Sequence, residues 1–370
     1  VSQIASKNHE ILNMKIRLIG HRNTLGIGVH YSNFVDALRR MSYLGDLVEE
    51  IDCDNQDAVW AGVERSRPED INISFVSMPI HTHYKGTTIQ WVVFESTRVP
   101  PTVMSTMLAA DQVWVPSAWG RKVLIENGAH ADRCHVIQEG VDSSKYHPYA
   151  PRVDSPIMSY LIAGKYELRK SIIETIYAWI QEFGNDPDVE LIVKSNHFVN
   201  QESKYNELTG WIGSMGINNV RVLWGSVSQS EMIDLYQQSH VFVLPSKGEG
   251  WGLPLIEAAA AGLPIITTWH SGQTEFLQHI SSSVIPVEFD MAPITCQEYQ
   301  AFYPTHDGNW GEWAQPRVDS IRTALRSARD NYAMLQSRAQ ANSSIIRDAF
   351  SWERSADYVV NLLHSQGLIK

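Results

Sequence analysis

Two doubly wound α/β domains that face each other across a cleft are predicted by three observations. The chain has 370 residues, which is long for a single hydrophobic core. Short apolar runs of strand length alternate with helical stretches, the pattern of parallel sheets covered on both faces. That alternation halts in a segment with prolines at Pro148, Pro151 and Pro156, and then begins again.

In chain order, residues 14–20 read as a buried strand, followed by a loop carrying Gly26 and Gly28 and a helix over 31–41. Strands are expected at 71–77, 89–95, 112–116 and 135–138. The second series has a strand at 157–163, an amphipathic helix at 169–183 and a strand at 189–194. Further strands follow at 221–224, 240–245 and 264–267, with a helix at 231–238. Residues 281–315 break the rhythm: Tyr303, Pro304, Gly308, Trp310, Gly311 and Trp313 lie in a polar setting, which predicts a surface excursion. Helices are expected over 317–347. Ser351 then reads as the N-cap of a last helix running through His364. Domain limits are placed at 1–152, with 1–13 as an extension, at 153–346, and at 347–370 for the terminal helix.

Composition removes several classes. The net charge of −11 argues against nucleic acid and against a broad anionic membrane footprint. Most of the acidic excess lies beyond residue 153. No apolar run reaches the ~18 residues of a membrane span, so membrane contact, if made, is peripheral and at the inner face. Arg39 and Arg40 make too modest a basic face to be an anchor. Cys53, Cys134 and Cys296 are far apart and lack metal-ligand spacing, which suits a reducing cytoplasm. Asp52-Cys53-Asp54 has the spacing of a metal-binding acid pair but reads as a solvated acidic loop. His81 and His83 have no evident third ligand, so no metal is expected.

The most informative stretch is Lys247-Gly248-Glu249-Gly250-Trp251-Gly252-Leu253-Pro254, continuing to Glu257 and Gly262. An apolar strand feeds a glycine-rich loop; Pro254 opens a short alanine-rich helix and Gly262 closes it. Unpaired N–H groups and the helix dipole make such a junction an anion site. Helical side chains lean toward the N-terminus, so Glu257 can reach back to whatever the loop holds. Carboxylates beside a phosphate site suit sugar hydroxyls, and the combination reads as a nucleotide-sugar pocket.

Glu249 and Glu257, eight positions apart in this setting, resemble the donor signature of retaining glycosyltransferases of family 4, which have the GT-B fold. The resemblance runs from about Met14 to the end. It takes in Trp91 to Pro100, Val136-Ile137-Gln138-Glu139-Gly140-Val141-Asp142 before Tyr146-His147-Pro148, Gly164-Lys165-Tyr166-Glu167-Leu168-Arg169-Lys170, and Phe350-Ser351-Trp352. It implies transfer of a hexose-type sugar from a nucleotide diphosphate sugar, such as a UDP- or GDP-sugar, to a hydroxyl of a glycan, lipid-linked or small-molecule acceptor. It also implies retention without a metal or other cofactor, and a last helix that crosses back to the first domain.

The implied roles follow the matched positions. Lys170 and Lys165 meet the diphosphate, with Arg169 sharing that role because the usual arginine after the glycine is Lys165 here. Glu249 contacts the donor sugar and steadies charge at the anomeric carbon; with the two lysines it forms the catalytic set. Glu257 accepts from the ribose. Gly26 and Gly28 approach the diphosphate from across the cleft. Backbone N–H groups of Gly250, Trp251, Gly252 and Leu253 are donors to sugar and phosphate oxygens, and the Trp251 ring is either a pocket wall or a packing residue. Where many members carry a histidine, this chain has Phe94-Glu95-Ser96-Thr97, so Glu95 and Thr97, with His81 and His83, are the acceptor-side candidates. A GT-B nucleotide-sugar epimerase, a non-catalytic nucleotide-sugar-binding subunit and, more remotely, a dehydrogenase are the competing readings. For the last, Gly26 and Gly28 lack the third glycine of a dinucleotide fingerprint.

Overall fold

The computed structural model describes residues 14–369 apart from 24, 25, 43, 77–82, 150–155, 198–200, 304 and 306. The extension at 1–13 and His81 lie outside the described residues.

The first sheet contains β1 (Ile16–Gly20), β2 (Val48–Asp52), β3 (Ile71–Ser74), β4 (Thr87–Trp91), β5 (Gln112–Val115) and β6 (Cys134–Val136) in the order β2-β1-β3-β4-β5-β6. Every pair is parallel. β1 is buried along its whole length. Two expectations need correction here. Asp52 is the last residue of a strand and not part of a loop. The hydrophobic pattern missed β2 because it is an edge strand whose Glu49 and Glu50 are ion-paired to Arg17 (2.9 Å) and Arg22 (2.8 Å). The helix after β1 begins at Gly26 and runs to Arg40, so Gly26 and Gly28 form its first turn. A Cβ on Gly28 would lie 2.1 Å from Asn23 Oδ1, which shows how tightly the preceding residues fold onto this turn.

The second sheet contains β7 (Met158–Ala163), β8 (Val189–Ser195), β9 (Val220–Trp224), β10 (Val241–Val243), β11 (Ile265–Thr268) and β12 (Val284–Val287) in the order β12-β11-β10-β7-β8-β9. It too is parallel throughout. Tyr160, Leu161, Val193, Leu191 and Phe242 are fully buried in it. From β7 the chain builds outward through β8 and β9, then returns to build the other side from β10. β7 and β10 therefore flank the point where strand order reverses, and in open α/β sheets a crevice forms beyond the carboxyl ends of such a pair.

Residues 281–315 are not a plain surface excursion. Residues 284–287 form β12 of the main sheet. Beyond them a hairpin of β13 (Phe289–Pro293) and β14 (Glu312–Pro316) encloses a short helix, Gln297–Phe302. Ile294, Cys296 and Trp313 form a small buried core within it. Its tip reaches the first domain. Glu312 N donates to Thr97 Oγ1 (2.8 Å), Trp313 Nε1 donates to the Glu95 carbonyl (2.9 Å), and Arg98 pairs with Asp307 (2.7 Å). Aromatic residues in a polar stretch here mark a strap between domains.

The chain crosses between the domains twice, and the crossings touch. Val141 N donates to Phe350 O at 2.8 Å, and Val141 bridges Ser351. Gly140 lies so close to the second crossing that a Cβ would meet Trp352 N at 2.3 Å. Ser351 caps the last helix, Trp352–Ser365, by accepting from Arg354 N. The apolar stripe of that helix (Trp352, Ala356, Val359, Val360 and Leu363) shares one core with Leu18, Phe34, Ile73 and Trp91. The terminal helix thus completes the first domain.

Candidate functional site

The crevice beyond β7 and β10 is lined by the two segments that leave those strands. After β7, Gly164 leads into a short 3-10 turn, Leu168–Lys170, which buries the side chains of Arg169 and Lys170. After β10, residues 246–252 form the glycine-rich loop, and the helix Leu253–Ala260 follows. Gly252, its N-cap, has φ of 99°, a left-handed conformation that strongly favours glycine. Gly248 and Gly250 are needed for space. A Cβ on Gly248 would lie 2.4 Å from the Glu95 carbonyl oxygen, and one on Gly250 would lie 2.2 Å from Val93 Cγ1. The loop therefore abuts the first domain directly.

Glu249 is the centre of this loop and is buried. Lys170 Nζ lies 2.6 Å from its Oε1 and Arg169 NH1 lies 3.2 Å from its Oε2. Burial alone would push the carboxyl up; Lys170 and Arg169 outweigh it and hold the group at about 2. Glu249 N donates to Ser271 Oγ, and Gly272 N donates back to Glu249 O, both at 2.8 Å. These bonds fix the loop on the segment after β11.

Arg169 is not a free phosphate ligand. Its NH1 donates to the Gly248 carbonyl (2.7 Å), and its NH2 lies 3.3 Å from both Glu95 and Glu167. Three carboxylates and one carbonyl occupy the guanidinium, and Glu95 belongs to the first domain. Arg169 thus ties the loop to both domains. Lys165 is more open, 3.9 Å from Glu167, and burial lowers its pKa.

Glu257 lies in the second turn of the helix, with its Oε2 accepting from Tyr236 Oη at 2.8 Å. Burial pushes its carboxyl up to about 7, while bonds from Tyr236 and Tyr146 pull the other way. Neither tyrosine was singled out from the sequence for this role, although Tyr146 stands in one of the matched motifs. At the helix start Pro254 has no N–H, and Leu255 N donates to Gly252 O at 2.9 Å, so what this end offers an anion is chiefly the positive end of the helix dipole.

The remaining candidates are scattered. The Trp251 side chain is 1% exposed and packs on Phe276 and Phe350, so it is a core residue and not a pocket wall. Thr97 is engaged with Glu312 in the strap, and His83 is exposed with its ring 5.4 Å from that of Trp60. Sequence reasoning missed a buried pair at the domain junction. His30, among the rings of Phe75, Trp91 and Trp352, places Nδ1 3.4 Å from Glu139 Oε1. Burial pushes His30 down to about 3, while burial and the charge of Glu249 push Glu139 up to about 8. Burial thus disfavours the charged form of each.

Among the described residues, His21, Asp52 and Asp54 are the group close enough together to hold a metal ion. They are partly or fully exposed, with His21 Nδ1 2.6 Å from Asp54 Oδ2, an ion pair that accounts for their approach. No helix among the described residues is long and apolar enough to cross a membrane.

The second domain carries the main sequence similarity to known proteins. Residues 160–289, which hold β7, the 3-10 turn and the glycine-rich loop, match the family model described as Glycosyl transferases group 1. The GDP-mannose:cellobiosyl-diphosphopolyprenol alpha-mannosyltransferase of Xanthomonas campestris is 32% identical over 136 residues, 36% of this chain and 34% of that protein. Mannosylfructose-phosphate synthase of Agrobacterium fabrum is 25% identical over 180 residues, 45% of this chain and 40% of that protein. The matches thus span well under half the length of these relatives. Over nearly the whole chain, the similarity is one of fold. The crystal structure of Anabaena HepE with UDP and glucose superposes with a TM-score of 0.68 at 16% identity, covering 95% of this chain and 100% of that one. Two parallel six-stranded sheets with their helices, joined by a terminal helix that returns to the first, give this chain the GT-B fold, and its second domain carries the group 1 glycosyl transferase match.

Proposed function

We propose that the protein is a retaining glycosyltransferase of the family 4 type, which moves a hexose from a nucleotide diphosphate sugar to an acceptor hydroxyl. The observation that carries this reading is the Lys170–Glu249 pair, buried beneath a glycine-rich loop at the strand-order reversal of the second sheet. A transferase of this kind must stabilise the departing diphosphate, orient the sugar and hold the acceptor at the anomeric carbon. Lys170 and Lys165 supply local positive charge for the diphosphate, as does the start of the helix Leu253–Ala260. Glu249 is ionised and turned into the same space, suited to accept from sugar hydroxyls. Glu257, backed by Tyr236 and Tyr146, is placed for the ribose. Arg169 acts as a positioning residue, holding Glu249, Glu95 and the loop carbonyl in register.

In the reaction the bond from the anomeric carbon to the diphosphate oxygen breaks, and the acceptor oxygen bonds to that carbon from the same face. The acceptor proton passes to an oxygen of the leaving diphosphate. Lysine charges at the diphosphate let this proceed without a metal. Two relatives are named for mannosyl transfer from GDP-mannose and for synthesis of mannosylfructose phosphate, which makes mannose the first sugar to try. The test is a thermal-shift screen of GDP-mannose, UDP-glucose and other nucleotide diphosphate sugars, followed by acceptor trials with the best donor. Release of nucleoside diphosphate that requires an acceptor supports transfer. Conversion of the sugar without any acceptor supports an epimerase instead.

A further inference from the structure

The strap made of β13, the helix Gln297–Phe302 and β14 is tied to three segments around the crevice. At the glycine-rich loop, Ala314 N donates to Lys247 O at 2.9 Å. Trp313 and Glu312 hold the first-domain segment at Glu95 and Thr97. Beyond the end of β8, Glu298 of the short helix pairs with Lys204 (3.6 Å) and His197 (3.7 Å). An element fastened on three sides of a site forms part of its wall.

The strap brings two tyrosines to that wall. The Tyr299 ring lies 5.1 Å from that of Trp313 and 4.9 Å from that of Tyr303, and Trp310 Nε1 donates to Tyr303 O at 2.6 Å. Both tyrosines are only partly buried. Burial pushes the Tyr299 hydroxyl up to about 12, with Ser96 and Arg169 pulling down and Glu95 pushing up. Burial and the charge of Glu95 raise Tyr303 as well. The side chains of Glu95 and Glu167 are 24% and 25% exposed, and each gives one oxygen to Arg169 at 3.3 Å, so both carboxylates stay within reach of a ligand. The same guanidinium holds Glu249 at 3.2 Å, which puts the cluster beside the sugar proposed at Glu249.

On the basis of the transferase reading, we propose that Tyr299 and Tyr303 of the strap, with Glu95 and Glu167, form the acceptor subsite, and that it takes an uncharged sugar and rejects a phosphorylated one. Ionised carboxylates are acceptors only, which suits hydroxyl donors. Tyrosine offers an apolar ring face and a polar tip to a sugar ring. Three carboxylates share the one guanidinium of Arg169, while Lys165 and Lys170 are engaged by the donor diphosphate in this reading. An anionic acceptor would therefore meet a net negative cluster as well as the diphosphate, and like charge of that kind discriminates between ligands of similar shape.

The test is saturation-transfer NMR on the full chain loaded with GDP or UDP, with mannose and glucose set against mannose 6-phosphate and glucose 6-phosphate. The neutral sugars should give the stronger response. Tyr299→Phe and Tyr303→Phe should each weaken neutral-sugar binding about 3- to 10-fold, as for one lost hydrogen bond, with nucleotide affinity unchanged. Glu167→Gln, which keeps the shape and removes one charge, should narrow the preference over the sugar phosphates, and it serves if a tyrosine variant folds poorly. A stronger response to the phosphates, no neutral-sugar response, or binding and preference untouched by all three substitutions overturns the proposal. A wild type that binds neither nucleotide, seen as no thermal shift, overturns the transferase reading and this subsite with it.

Discussion

Lys170 Nζ and Glu249 Oε1 are 2.6 Å apart although 79 positions separate them in the chain. The contact joins the two segments that leave β7 and β10, the strands on either side of the order reversal. Both side chains are buried, so each compensates the desolvation of the other until a ligand takes over. A donor diphosphate would compete for Lys170 and free Glu249 to receive sugar hydroxyls.

Replacing Lys170 by Ala should lower turnover at least ~10-fold once a donor is known, because the leaving diphosphate would lose a cation proposed to meet it. Steady-state kinetics with saturating donor check this. In a double-mutant cycle on urea unfolding, Lys170→Met and Glu249→Gln should show a coupling of about 1–3 kcal/mol, as expected for a buried contact pair.

Glu257→Gln and Tyr236→Phe should each weaken nucleoside diphosphate binding by about 5- to 30-fold, or roughly 1–2 kcal/mol for a lost hydrogen bond to a charged group. Since the Glu257 carboxyl stands at about 7, affinity in the wild type should rise between pH 6 and 8 as the acceptor ionises. Calorimetric titration across that range should find the rise reduced in Glu257→Gln.

Gly248→Ala should reduce donor affinity at least ~10-fold with the fold intact. The new methyl would press on the Glu95 carbonyl at 2.4 Å and push the loop away from the first domain. Thr97→Val tests a different role for its residue. Thr97 accepts the Glu312 N–H in the strap, so its loss should lower stability by about 1 kcal/mol while donor binding changes little.

The junction pair predicts a pH dependence of stability. Glu139 has a folded pKa raised to about 8 from an ordinary value of 4.5, so its contribution is full below the ordinary value and is lost as pH rises through about 8. His30 is depressed to about 3 from 6.5, so its contribution is full above 6.5 and is lost as pH falls toward 3. Glu139→Gln should therefore remove on the order of 2 kcal/mol of the stability decline between pH 6 and 9, at about 1.4 kcal/mol per unit. Chemical denaturation at several pH values measures it.

The second sheet was legible because its strands are apolar runs bounded by turns, and Glu249 and Lys170 stood out by chemistry and spacing. β2 was hidden by Glu49 and Glu50, whose partners Arg17 and Arg22 come from elsewhere in the chain. The strap was hidden for a similar reason: Trp313 and Glu312 make sense only against Glu95 and Thr97, more than 200 positions away. The three acids around Arg169 were hidden in the same way, since Glu95, Glu167 and Glu249 come from separate segments. Local periodicity carries an element's own face, whereas ion pairs across domains leave no local trace.

The measurement that bears most directly on the central claim is a crystal structure with a bound nucleotide diphosphate sugar. The diphosphate is expected against Lys170, Lys165 and the start of the helix Leu253–Ala260, with the sugar at Glu249 and the ribose at Glu257. A diphosphate bound in the first domain, or one leaving the Lys170–Glu249 pair untouched, would contradict it.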